Sequence, residues 1–186
     1  MDRLSLNNIQ KLDALKSELE HERASSLYLK LRKLEKEDES YQPIRKHLRM
    51  LIFKFEEEQW SDDSQITDEQ VKESDLAESF IQAENEFYQK RKELIRKKLK
   101  AAGLNQNDLA KILGHRKGYM SELINGLRPF SKEDIVVINR LLKIKLEDLI
   151  PTFIKQDKAI HIKNALNSLS NSKIKFTKRD LDFRLA

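Results

Sequence analysis

All four glycines of this chain fall between positions 103 and 126, and that placement constrains the fold more than any other feature. Glycine is the residue that turns a helix end through a left-handed corner without steric cost. The three prolines, Pro43, Pro129 and Pro151, stand far apart. A chain punctuated in this way reads as long helices first and then a cluster of short ones. Composition agrees: 36% of residues are charged and 39% hydrophobic, a mixture that favours helices over turn-rich sheets. With 186 residues there is room for one ordinary domain with an appendage, or for two small ones.

Several classes are excluded or disfavoured at once. The absence of cysteine rules out disulfides, thiolate metal sites and cysteine nucleophiles, and points to a reducing setting. The opening MDRLSLNNIQ has no apolar core of a signal peptide, and no stretch approaches the roughly 18 apolar residues of a membrane span. The expectation is a soluble, cytoplasmic protein with no membrane partner. His21, His47, His115 and His161 share no metal-ligand spacing, and no GxxxxGK[ST], GxGxxG or GxSxG is present. No metal, cofactor or catalysis is expected.

From Leu6 to Leu34 apolar residues recur at three-four spacing through Ile9, Leu12, Leu15 and Leu19 and, after a phase slip around His21–Arg23, through Ala24, Leu27, Leu31 and Leu34, which predicts a helix that packs against neighbours. Ser40 reads as the cap of a second helix, with Pro43 in its first turn and Ile44, Leu48, Leu51 and Phe55 as its stripe. Residues 1–60 are thus a helical hairpin for dimerisation or partner binding. SDDSQITDEQ, residues 61–70, reads as an acidic linker, with Thr67 and Gln70 as a capping box. A connecting helix follows over 71–94, with a break near Glu84–Glu86 or a continuous path into the next domain both open. The tail, 155–186, carries a net +5; Ile174 and Phe176 among lysines allow a strand, and Thr177 with Asp180 a capped turn.

Charge is uneven. Residues 61–80 sum to −6, whereas Gln89–Gly118 holds ten Lys/Arg against two acids, a density that attracts a polyanion or marks a solvated helix face.

In the same region Gly103 ends a helix and Asn105 caps the next, which stops at Gly114. A third runs from about Arg116 to Asn125 and stops at Gly126. Ser131 with Asp134 caps a fourth, and Leu146–Ile150 makes a fifth before Pro151. Ala110, Gly114 and Met120 supply the small contact, the corner and the apolar closure that two short helices at an angle require, with Leu109, Leu113 and Leu123 beside them. That spacing is a helix-turn-helix, whose second helix enters the major groove of DNA.

These residues resemble the lambda-repressor-like, Xre/Cro family of DNA-binding domains over about 87–154, roughly a third of the chain. Within them KGYMSELINGLRPFS is similar to HigA-type antitoxins. The chain departs from the family's usual text at His115, where an aliphatic residue is usual, and at Arg116, where a small capping residue is usual. The resemblance implies an all-α protein: a five-helix lambda-repressor-like domain preceded by a long-helix N-terminal region.

The N-terminal turns of a recognition helix face the bases, so Arg116, Lys117, Ser121 and Glu122 are candidates for base readout. Lys117 suits guanine O6/N7 and Glu122 cytosine N4, although Glu122 is equally suited to pair with a neighbouring Lys or Arg on its own helix. Gln106 stands at a helix start that favours a phosphate, a position where the family commonly contacts DNA. Asn125, Arg128 and Lys132 follow along the backbone. Tyr119 either donates to a phosphate or packs half-buried, Met120 and Leu123 belong to the core, and His115 caps or packs.

The function these expectations describe is a sequence-specific regulator that binds double-stranded DNA, a pseudo-palindromic operator, as a homodimer. The HigA resemblance implies an autorepressing antitoxin that neutralises a RelE-like toxin. The rivals are a plain repressor without a toxin, and a protein-interaction module whose N-terminal helices bind a partner while the helix-turn-helix serves as a tether.

Overall fold

The computed structural model describes residues 4–152, 154 and 156–169. Among them are seven α-helices and no strand: α1 Glu18–Leu34, α2 Gln42–Trp60, α3 Asp68–Ala101, α4 Gln106–Ile112, α5 Lys117–Ile124, α6 Lys132–Leu142 and α7 Gln156–Ser168. The tail positions Ile174, Phe176, Thr177 and Asp180 lie outside the described residues.

Two helix starts differ from expectation, both because a polar side chain competes for the backbone. The helix expected from Leu6 begins only at Glu18. Ser17 is its cap and accepts from the Glu20 N–H at 3.3 Å, while Glu20 reaches back to the Lys16 N–H at 2.9 Å. Upstream, Leu6, Ile9 and Leu15 are buried and Leu12 partly so, from a largely irregular segment with one 3-10 turn at Ile9–Lys11, so their three-four spacing is not a helical stripe. Ser40 is not the cap of the second helix. It lies in a 3-10 turn capped by Asp38, and α2 follows directly with Pro43 in its first turn.

Leu48, Leu51 and Phe55 of α2 pack against Ala24, Leu27, Leu31 and Leu34 of α1, with Tyr41 in the same cluster. Trp60 donates its indole N–H to Glu18 at 3.0 Å. Residues 61–70 hold a 3-10 turn, Asp63–Gln65, and then α3 begins behind Thr67, whose hydroxyl accepts from the Gln70 N–H at 3.2 Å.

The open question at Glu84–Glu86 resolves as continuity. α3 runs for 34 residues, about 50 Å at 1.5 Å per residue. Its first half packs on α1, and its last turns carry Ile95 and Leu99 into a second core with Leu109, Met120, Leu123, Ile124, Phe130, Ile138, Leu142, Ile144 and Leu149. One helix therefore belongs to both halves. The five helices expected around the glycines are present as the end of α3, α4, α5, α6 and a 3-10 turn at Leu146–Asp148.

Gly126 has φ +72°, and a Cβ there would meet the Tyr88 ring of α3 at 2.7 Å. Both the left-handed corner after α5 and its close seat on α3 require glycine at this position.

Candidate nucleic-acid interface

The α4–α5 pair is fixed by its own polar side chains before any core contact is counted. Asn105 accepts from the N–H groups of Asn107 and Asp108 at 2.8 and 3.2 Å, and Asp108 accepts from the Asn105 N–H at 3.0 Å. The helix ends at Gly114, φ +70°, where the His115 N–H donates to the Ala110 carbonyl at 2.8 Å. His115 Nε2 then lies 2.9 Å from Asp134, itself part of the Ser131 capping box of α6. The corner is thus pinned to the next helix, and Met120 closes it from inside at 0% exposure.

α5 starts at Lys117 behind Arg116, which makes no side-chain cap. Of the candidate base readers, Arg116 and Lys117 are exposed. Ser121 and Glu122 are half-buried on a different footing. Glu122 accepts from the Tyr41 hydroxyl at 2.9 Å and pairs closely with Arg128, which lies beyond the end of α5, so its ionic partner is not the same-helix Lys or Arg that the sequence left open. The Ser121 hydroxyl lies 3.3 Å from the Asn125 amide nitrogen.

The candidate phosphate contacts divide likewise. Lys132 is exposed and Gln106 half-buried at the head of α4. Asn125 donates to the Ser121 carbonyl at 2.8 Å and accepts from Lys92 Nζ at 2.7 Å. Arg128 also donates to Asn7 at 2.9 Å, and its guanidinium lies 5.7 Å from the Tyr119 ring. Tyr119 is 41% exposed and meets His115 edge-on at 5.0 Å.

The N-terminal region therefore sits on one flank of α5. Tyr41 and Asn7 touch it, and Leu127, just past its end, packs into the N-terminal core. Burial and then the hydrogen bond to Glu122 push the Tyr41 phenol up, which keeps it a donor. Sequence reasoning missed this contact, which joins residues 81 positions apart and leaves no periodic trace.

It also missed Arg91. Counted above among the basic residues, Arg91 is 3% exposed and donates to the carbonyls of Leu123 at 3.0 Å and Leu149 at 3.4 Å. Its guanidinium lies 4.8 and 4.9 Å from the rings of Tyr88 and Phe130. Burial pushes it down to about 10, still charged at neutral pH. A signal existed, since Arg91, Ile95 and Leu99 share one helical stripe.

A family model described as helix-turn-helix matches residues 95–149. Comparison with curated proteins and with solved structures gave no match. The matched segment has the lambda-repressor-like fold and is a DNA-binding domain of the kind transcriptional regulators carry. No helix among the described residues is long and apolar enough to cross a membrane.

Proposed function

We propose that this chain represses transcription by binding a pseudo-palindromic operator as a homodimer, with α5 in the major groove. The observation that carries this reading is the exposure of Arg116 and Lys117 at the head of a helix whose other side, Met120, Leu123 and Ile124, is fully buried. Gln106, Tyr119, Asn125, Arg128 and Lys132 serve the phosphates, and Ser121 and Glu122 reach bases from the second turn. A groove about 12 Å wide must admit α5 between both strands. The DNA-bound state therefore releases the Tyr41–Glu122 contact. A homodimer is favoured by twofold half-site symmetry and by the exposed apolar side chains of Val136, Val137 and Leu141 on α6. In this reading residues 1–60 act as a dimerisation or partner-binding hairpin, 61–70 as a spacer, 71–94 as the connection, 87–154 as the DNA-binding domain and 155–186 as a basic tail.

Lys117→Ala is expected to weaken binding to the operator by about 10- to 100-fold, the cost of one good base contact, and to leave random duplex nearly unchanged. Lys132→Ala is expected to weaken both alike and to reduce the salt slope by about one. Fluorescence anisotropy at several salt concentrations measures both. Equal losses on operator and random duplex for Lys117→Ala would remove the base-reading role.

The similarity of residues 117–131 to HigA-type antitoxins supports a narrower form, in which the repressed operon is the protein's own and encodes a RelE-like toxin that the chain neutralises. An adjacent open reading frame, toxic alone and harmless when co-expressed, is the expected finding. A neighbour harmless when expressed alone leaves a plain repressor.

The N-terminal helices are an alternative partner surface. Met50 and Phe53 of α2 are 54% and 62% exposed.

A further inference from the structure

Between α1, α3 and the α4–α5 pair lies a cleft of about 490 Å³, within the size range of small-molecule sites. Four cations face it: Lys30 and Lys33 from α1, Lys92 and Arg96 from α3. The lining contains one carboxylate, Glu37. Among the described residues none of the four cations makes an ion pair. Glu84, which favours the charge on Lys30, is itself paired with Arg23 at 3.4 Å. Burial holds Lys30 below the usual lysine range. Lys92 is depressed by burial and then by the like charges of Arg96 and Lys33. Lys30 leans over the Tyr88 ring at 5.4 Å and Lys92 donates to Asn125, contacts that orient the two ammonium groups without neutralising them. Four like charges held together by helix packing, two of them partly desolvated, with one carboxylate, Glu37, in the lining and no direct ion pair, favour an anion bearing several charges.

At about 490 Å³ the cleft has the volume of a small-molecule site and no room to enclose a duplex. Its occupant must be small. We infer that the cleft binds a small polyphosphate-bearing molecule of nucleotide size, whose phosphates bridge Lys30 and Lys33 on α1 to Lys92 and Arg96 on α3. The same walls include Gln106, Ser121 and Asn125. An occupant therefore holds the N-terminal region against the reading face and opposes DNA binding. The site stands on its own geometry, whereas this coupling rests on the DNA-binding reading above.

The probe is inorganic tripolyphosphate added to the full chain, with sulfate at matched ionic strength as the control. At a hundredfold excess over its Kd, tripolyphosphate is expected to raise Tm by about 5 °C or more beyond the sulfate control. It is also expected to raise the apparent Kd for duplex about tenfold at ten times its own Kd. Both effects are expected to vanish in Lys30→Ala/Lys33→Ala and to shrink at least twofold in Lys33→Glu, whose side chain is exposed and whose fold is not at risk. No rise in Tm, or an equal rise in the variants, overturns the site. Loss of duplex affinity in Lys30→Ala/Lys33→Ala without tripolyphosphate also overturns it, assigning these cations to the DNA backbone. A Tm rise with unchanged duplex affinity overturns the coupling alone. A wild-type chain that binds no duplex sinks the DNA-binding reading and leaves the thermal test intact.

Discussion

Met120→Ala is expected to lower the unfolding free energy by about 2–5 kcal/mol, the range for truncating a large buried side chain. Met120 is 0% exposed and sits where α4 and α5 approach, sharing its cluster with Leu109, Leu123 and Ile124. The capping box of α4, the Gly114 corner and the His115–Asp134 contact hold both helices in place around the missing atoms. The site therefore relaxes little, and the cavity adds to the lost transfer free energy. For a chain of this size the expected fall in Tm is about 5–15 °C. Met120→Leu, close in volume, is expected to cost less than about 1.5 kcal/mol. Urea unfolding with an unchanged m-value tests both. A loss under about 1 kcal/mol for Met120→Ala would show that this side chain does not close the corner.

Arg91→Ala carries an expected loss of about 3–5 kcal/mol for a different reason. The guanidinium is a buried polar keystone. It satisfies carbonyls at the end of α5 and at Leu149, and its flat faces fill the space between Tyr88 and Phe130. Truncation leaves two carbonyls without that donor and a void between rings, and the two costs add. Arg91→Met keeps most of the volume and removes a desolvated charge, but still strips the donors, so about 1–3 kcal/mol is expected. Equal losses in the two variants would mean that hydrogen bonding, not packing, is what Arg91 contributes. Unchanged stability in both would contradict the keystone role.

How far the sequence carries is visible in particular residues. Glycines at 103, 114 and 126 adopt left-handed corners, and Asn105 and Ser131 cap as short-range chemistry requires, so the helix-turn-helix was readable from local rules. Leu6 to Leu15 misled because burial alone produces an apolar pattern, and Ser17 starts the helix where spacing alone would place it earlier. The basic segment concealed two populations. Arg116 and Lys117 face solvent, whereas Arg91 is buried and only its stripe with Ile95 and Leu99 betrays it. For the candidate interface, exposure at the head of α5 was legible. The contacts of Tyr41 and Asn7 with Glu122 and Arg128 were not, because they depend on how a 34-residue helix brings two separate cores side by side.

The most direct test of the central claim, that α5 reads bases, is selection of bound duplexes from a random pool by the full chain and by Lys117→Ala. The account predicts inverted half-sites centred about 10 base pairs apart or a multiple of that spacing, with one position in each half-site relaxed by the substitution. A pool that yields no preferred sequence, or a motif identical for both proteins, would contradict it.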